Sequence, residues 1–375
     1  MQFIDLKKQY QVLKEQIDDG IAKVLDDGHY IGGGEVKQLA EELAQYCGVK
    51  HCLTCANGTD ALTIALRCIG VGKGDAVFVP TFTFFASAET AALEGATCIF
   101  VDVDSRTFNI DSAKLDKAIA EVIEQGKLTP KCVIAVDLFG QPADFTALRK
   151  VTDKYGLPII EDGAQGFGGS IDGKKACSFG DISTTSFFPA KPLGCYGDGG
   201  AIFTDNDDYY ALMSSLAVHG KGSYKYDNVR IGYNSRLDTL QAAILLPKLH
   251  AFEQYELKDR NVVASKYDEL LGKDFVTPYV PQGFESSWAQ YTLILDSAEQ
   301  REKIQTALKD KGIPTMIYYP IPMHKQTAFK GYDFNLDDLQ VAEDLCDRVL
   351  SIPMHPYIND GDIQTIAKAL IENVD

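Results

Sequence analysis

Lys191 stands in the run Ser186-Phe187-Phe188-Pro189-Ala190-Lys191-Pro192-Leu193-Gly194-Cys195-Tyr196-Gly197-Asp198-Gly199-Gly200, among aromatics, prolines and glycines instead of on a charged helical face. A lysine amine held away from water loses part of its preference for the protonated form, and a neutral amine attacks a carbonyl carbon. Upstream, Glu161-Asp162-Gly163-Ala164-Gln165 follows an apolar run at 157–160, so the Asp162 carboxylate emerges at a strand end, where it can pair with a protonated ring nitrogen. An isolated aspartate after a strand reads first as a cap of the next helix. The company of Gln165 and Lys191 reverses that preference.

Asn57-Gly58-Thr59-Asp60 precedes the helix-patterned Ala61-Leu62-Thr63-Ile64-Ala65-Leu66. Free N–H groups of the first turn and the Thr59 hydroxyl make a phosphate cup there, or a plain N-cap. Ser186, five residues before Lys191, offers a further hydroxyl to the same phosphate. Phe84 follows a strand and presents a ring able to stack on a planar cofactor, although taken alone it reads as core. Two glycine-rich runs are decoys. Gly194 to Gly200 lacks the dinucleotide spacing and precedes a strand, and Gly168-Gly169-Ser170-Ile171-Asp172-Gly173-Lys174-Lys175 ends in lysine where a P-loop needs a hydroxyl, which makes it a surface hairpin. An imine-forming lysine, a carboxylate for a pyridine nitrogen, a phosphate cup and a stacking aromatic together describe a pyridoxal 5′-phosphate site.

The elements that carry these residues are legible as apolar runs between amphipathic segments. Ala76-Val77-Phe78-Val79, Cys98-Ile99-Phe100-Val101, Cys132-Val133-Ile134-Ala135-Val136, Pro158-Ile159-Ile160 and Ala201-Ile202-Phe203-Thr204 read as strands buried on both faces, and 60–69 and 144–155 as helices. The alternation predicts an α/β fold, a large domain built on a mostly parallel central sheet flanked by helices. Ligands bind such sheets at the carboxyl ends of the strands, which brings Asp162, the 57–59 turn and 81–84 to one region. A long helix over 238–255, bent at Pro247, closes the large domain at 1–250. A smaller α+β domain at 251–375 follows, with strands at 291–295 and 314–319 and helices at 297–311 and 338–349.

Composition bounds the function. The 375 residues, 45% hydrophobic, suffice for a large core plus a smaller one, and the net charge of -17, from 53 acidic against 36 basic side chains, argues against nucleic acid or an anionic membrane as partner. No membrane span or signal peptide is read, and the nine cysteines form no disulfide framework, so a cytoplasmic protein with reduced thiols is expected. Cys52 and Cys55 read as core, and six scattered histidines give no metal site.

Nearly end to end, the chain resembles the nucleotide-sugar aminotransferases of the DegT/DnrJ/EryC1/StrS family, of fold type I among pyridoxal phosphate enzymes. The resemblance lies in Phe3-Ile4-Asp5-Leu6, Ala56-Asn57-Gly58-Thr59-Asp60-Ala61-Leu62, Glu161-Asp162-Gly163-Ala164-Gln165, the 186–200 run, Asn234-Ser235-Arg236-Leu237-Asp238-Thr239-Leu240-Gln241-Ala242-Ala243 and Ser351-Ile352-Pro353-Met354-His355-Pro356. It implies that Lys191 forms the Schiff base and shuttles protons, that Asp162 pairs with the pyridine nitrogen, and that Gln165 bonds the ring hydroxyl. It further implies that Ser186, Gly58 and Thr59 hold the phosphate, that Phe84 stacks, and that Asn234 reaches the phosphate from a neighbouring subunit, making a homodimer with shared sites. The family often carries Ala where Gly163 stands. The 185–200, 240–249 and 319–326 segments look most like enzymes that aminate UDP-2-acetamido-2-deoxy-3-oxo-glucuronate with L-glutamate, which leaves as 2-oxoglutarate. Arg236, His324 and Lys325 are the cations expected to meet that anionic sugar. The rival readings are a C4 aminotransferase of a UDP- or dTDP-4-keto-6-deoxy sugar, a sugar dehydratase of the same fold that lacks the lysine, and a non-catalytic nucleotide-sugar-binding homologue.

Overall fold

The computed structural model describes residues 1–224, 226–331 and 338–374. Its strands are β1 (His51–Cys55), β2 (Asp75–Pro80), β3 (Thr97–Val101), β4 (Thr129–Val136), β5 (Ile159–Asp162), β6 (Ser170–Ile171), β7 (Lys174–Lys175), β8 (Ile182–Ser186), β9 (Gly200–Thr204), β10 (Phe284–Glu285), β11 (Tyr291–Ile294) and β12 (Val349–Ile352). Seven of them form the central sheet in the order β1-β9-β8-β5-β4-β2-β3. β9 runs antiparallel to both neighbours, and the other pairings are parallel. The carboxyl ends of β1, β2, β4, β5 and β8 therefore open on one edge of the sheet.

Successive residues of a strand point to opposite faces, and each face has its own helical cover. Val77 and Val79 pack with the helices Gly58–Ile69 and Phe85–Leu93, while Ala76 and Phe78 pack with Ser112–Gln125 and Phe145–Tyr155. The helices start and stop where local chemistry says they should. Asn57, Asp144 and Ser297 cap N-termini with side-chain oxygens, and Gly70 and Gly156 end helices in the left-handed conformation. The decoy segment is a hairpin, β6 paired with β7, turning through Asp172 at φ +47° and Gly173 at φ +81°.

A second core gathers β11, β12 and the helices Leu257–Leu271, Ala298–Asp310 and Asp360–Ile371. Its link to the first is a continuous helical run: Thr239–Ala251 passes through Pro247 and a π-turn at Phe252–Glu256 into Leu257–Leu271. The N-terminus also touches the second core, because Phe3 O accepts from Met354 N–H. The strand expected over 314–319 is absent. Met316 makes one isolated bridge to Ser351, and Tyr318 and Tyr319 turn into the large core instead. Pro314 removes one N–H donor at the start of this segment, and Pro320 and Pro322 remove two just beyond its end.

No helix among the described residues is long and apolar enough to cross a membrane. The nine cysteines are buried and unpaired. The described residues contain no group of three or more His, Cys, Asp or Glu side chains arranged for a metal ion.

At the carboxyl end of β4, Asp137 is fully buried, and its N–H donates to the Asp162 carbonyl at 3.1 Å. Its Oδ1 accepts from Ala143 N–H, whereas Oδ2 has no hydrogen-bond partner among the described residues. Burial, and then the nearby Glu161 charge, push its pKa well up. Glu161 keeps its own charge satisfied through Cys177, Phe179 and Gly180 N–H and the Ser183 hydroxyl. Above the ordinary carboxyl pKa, the folded chain holds a proton at Asp137 that the unfolded chain releases, so stability falls as pH rises toward the folded value. Asp137→Asn removes this penalty. It should stabilise the protein by on the order of 1 kcal/mol at about pH 8, with a smaller gain toward acid, read from urea midpoints across pH.

Candidate active site

A cavity of about 440 Å³ opens at the carboxyl edge of the sheet, lined from segments that include Asn57–Thr59, Thr83–Ser87, Asp162–Gln165, Thr184–Lys191, Gln290 and Tyr318–Tyr319. Parallel neighbours β5 and β8 place Asp162 and Ser186 on its floor. Asp162 is 5% exposed. Its Oδ2 accepts from Ser87 Oγ at 2.7 Å and its Oδ1 from Ala164 N–H at 3.2 Å. Thr83 Oγ1 lies 3.0 Å from Ser87 Oγ, so a chain of hydroxyls supports the carboxylate from beneath. Burial raises the Asp162 pKa, and the Ser87 bond, the Lys191 charge and the Ala164 bond oppose that rise.

Lys191 follows β8 in the loop whose Lys191 N–H donates to Phe188 O at 2.8 Å. It keeps part of its surface open to the cavity while protein surrounds the rest. Desolvation lowers its pKa and the Asp162 charge pulls the other way. Each of these groups thus holds the other nearer its charged form. A carboxylate and an amine of this kind meet a ligand that brings both a protonated ring nitrogen and a carbonyl carbon.

The Gln165 amide is fixed in one orientation. Its Oε1 accepts from Phe139 N–H at 2.9 Å and its Nε2 donates to the Tyr319 hydroxyl at 3.1 Å. Burial pushes the Tyr319 phenol up, so it stays protonated.

At the opposite wall, Asn57 Oδ1 accepts from Asp60 N–H at 2.7 Å, which leaves the first-turn N–H groups of Gly58 and Thr59 directed at the cavity without helical acceptors. Gly58 is required by a close approach: a Cβ there would lie 2.7 Å from Ser186 Cβ. Two N–H groups, the Thr59 hydroxyl and the Ser186 hydroxyl surround a space suited to an anion. Phe84 and Phe188, each more than half exposed, stand at the cavity wall, and the Phe84 ring lies 6.3 Å from that of Tyr319.

The structure thus brings Gly58, Thr59, Phe84, Asp162, Gln165, Ser186 and Lys191 together. It does not bring the other four expected residues there. Asn234 and Arg236 are exposed, with Arg236 Nη2 donating to Asn234 Oδ1 at 2.5 Å, and neither lines this chain's cavity. His324 is held inside the fold, Nδ1 against Thr81 Oγ1 at 2.7 Å and Nε2 against Glu343 at 3.0 Å, and Lys325 pairs with the other Glu343 oxygen at 2.6 Å. His324 and Lys325, expected to face the sugar, are engaged by Glu343 and do not line this chain's cavity.

Sequence reasoning missed Ser87, Tyr318, Tyr319 and Gln290. Ser87 sits three residues after Phe84, one helical turn away, and that spacing was the available signal. Tyr319 was hidden inside a segment read as a strand.

Residues 11–371 match the model of the DegT/DnrJ/EryC1/StrS aminotransferase family. The chain is 47% identical over 373 residues, 99% of each chain, to a UDP-2-acetamido-2-deoxy-3-oxo-D-glucuronate aminotransferase of Pseudomonas aeruginosa. It is 40% identical over 369 residues to a UDP-N-acetyl-3-dehydro-alpha-D-glucosamine 3-aminotransferase of Acidithiobacillus ferrooxidans, covering 98% of this chain and 96% of that one. A crystal structure of a DegT DnrJ EryC1 StrS aminotransferase from Brucella abortus superposes with a TM-score of 0.97 at 46% identity, covering 99% of both chains.

Ser87→Ala removes the hydroxyl that most strongly favours the ionised form of Asp162. The Asp162 pKa then rises further, so the acidic limb of the pH profile of amino transfer should move to higher pH, with activity at about pH 6 falling about tenfold. Ser87→Thr, which retains the hydroxyl, should recover part of the loss.

Proposed function

This chain belongs to the DegT/DnrJ/EryC1/StrS aminotransferase family, and we propose that it moves the amino group of L-glutamate onto the 3-keto carbon of UDP-2-acetamido-2-deoxy-3-oxo-glucuronate, with pyridoxal 5′-phosphate as carrier. The observation that carries the reading is the facing pair Asp162 and Lys191, with the open start of the helix Gly58–Ile69 on the same cavity. The cofactor is tested by the donor set. Gly58 and Thr59 N–H and the Thr59 and Ser186 hydroxyls suit a phosphate, and a Cβ on Gly58 would collide with Ser186 and close that cradle. Asp162, buried and held toward its charged form by the Ser87 hydroxyl, the Lys191 charge and the Ala164 N–H, suits a protonated ring nitrogen. Gln165 Nε2 suits the ring hydroxyl, and Phe84 a ring face. Bound there, the cofactor would supply an electron sink for a carbanion next to nitrogen.

The chain's own groups divide the remaining work. Asp162 keeps the proton on the ring nitrogen, and Ser87 and Ala164 keep Asp162 charged while it does so. The lowered pKa of Lys191 makes its neutral amine available, first as the attacking group and then as the base that takes the proton from the donor's α-carbon and returns one to the product side. Gln165 and Tyr319 hold each other in place at the wall.

The keto sugar brings a diphosphate and a carboxylate, yet among the described residues Lys191 is the only cationic side chain lining this cavity. That shortage supports a homodimer in which Asn234 and Arg236 of a second copy complete the site, and the exposed Phe84, Phe188, Val229 and Ile231 support the same arrangement. Nine buried, unpaired thiols support work in the reducing cytoplasm. The product is an amino sugar suited to surface polysaccharide assembly.

Purified protein, pyridoxal phosphate, L-glutamate and the 3-keto sugar made in place should yield one 2-oxoglutarate per 3-amino sugar. Turnover of a 4-keto-6-deoxy sugar with none of the 3-keto sugar would replace this substrate by the C4 one, and no 2-oxoglutarate from either would overturn the reading. Lys191→Ala should cut amino transfer by at least about 10³-fold while cofactor uptake, followed by equilibrium dialysis, persists.

A further inference from the structure

Lys248 is a lysine inside the apolar helix Thr239–Ala251, with 1% of its surface exposed. Its ammonium donates to the carbonyl of Gly194 and sits 4.8 Å from the centre of the Tyr196 ring. Gly194 lies three residues beyond Lys191 in the same loop. Seven positions earlier on the helix, almost two full turns, Gln241 faces the same loop: its Oε1 accepts from Tyr196 N–H at 2.9 Å and its Nε2 donates to Tyr196 O at 3.4 Å. One helical face therefore grips the loop at two points.

The loop closes on itself through Phe187 N–H to Gly199 O, Cys195 N–H to Phe187 O and Lys191 N–H to Phe188 O, each 2.8 Å. These bonds shape the loop but do not fasten it to the rest of the protein. On its far side Gly194 is pressed against Phe188 and Pro189, since a Cβ there would stand 2.7 and 2.5 Å from their carbonyl oxygens. Its own carbonyl turns to Lys248, so the residue is clamped between the loop and the helix.

We propose that Lys248, together with Gln241, is a positioning residue for Lys191: the helix fastens the loop through the Gly194 carbonyl and the Tyr196 backbone and so fixes where the reacting amine stands. The inference rests on the amino-transfer reading above. A buried ammonium is costly unless something balances it. Burial lowers the Lys248 pKa to about 8, with Glu256 and Cys195 acting to raise it and Arg260 to lower it. Glu256 is itself held by Gln9 Nε2 at 2.9 and 3.1 Å and by the Tyr357 hydroxyl. The helix that grips the loop is thereby anchored to the N-terminal helix and to the second core.

Lys248→Met keeps the length of the side chain and removes the donor. In the cofactor-free protein, hydrogen–deuterium exchange over 191–197 should accelerate about tenfold while the helices of the second core keep their protection. In the loaded enzyme kcat should fall about tenfold, with the KM for glutamate within about twofold of the unsubstituted value. Should Lys248→Met fail to fold, Gln241→Met at its half-buried position tests the same grip and should show the same pattern. Unchanged exchange over 191–197 in the folded variant, or an unchanged kcat, overturns the proposal. A wild-type protein without amino-transfer activity would instead refute the reading beneath it, and the exchange result stands apart from that.

Discussion

A buried carboxylate and a buried amine that share one cavity set the terms for everything around them. Desolvation drives Asp162 toward its neutral form and Lys191 toward its own, and the charge of each opposes the drift of the other. Each is thus held nearer its charged form than burial alone would leave it. Ser87 and the Ala164 N–H oppose the rise at Asp162, whereas among the described residues Lys191 has no comparable hydrogen-bond acceptor for its amine.

The sheet answers this constraint by geometry. Parallel strands open their carboxyl ends on one edge, so the turn after β1, the segment after β2, the end of β5 and the end of β8 converge although nearly 130 residues separate the first from the last. The antiparallel β9 then returns the chain from the Lys191 loop into the sheet between β1 and β8. Convergence demands close backbone approaches, and glycine meets that demand at Gly58 against Ser186 and at Gly194 against Phe188 and Pro189. The buried Asp137–Glu161 pair behind the site is a cost of crowding carboxylates at this edge.

Much of this was legible in the chain. Strands buried on both faces are short apolar runs, and β2, β3, β4, β5 and β9 fall where such runs lie. Helix starts were legible where Asn57 and Asp144 cap them. The 314–319 segment misled because its apolar residues suggest a strand while Tyr318 and Tyr319 pack on the large core after a single bridge at Met316. The partner of His324 and Lys325 was not legible, because a cation in a loop carries no mark of which carboxylate it meets, and here that carboxylate is Glu343. The boundary expected near 250 lies within the helical run that passes between the two cores.

The sequence by itself determined the chemistry: a lysine among glycines and aromatics, an aspartate at a strand end and a capped glycine turn limit the site to imine and anion chemistry, because these follow from residue type and local backbone. The tertiary structure alone decided which groups set the strength of that chemistry. Ser87 beneath Asp162, Tyr319 on Gln165 and Lys248 behind the Lys191 loop act across long sequence separations, through burial and hydrogen-bond direction that exist only once the chain is packed.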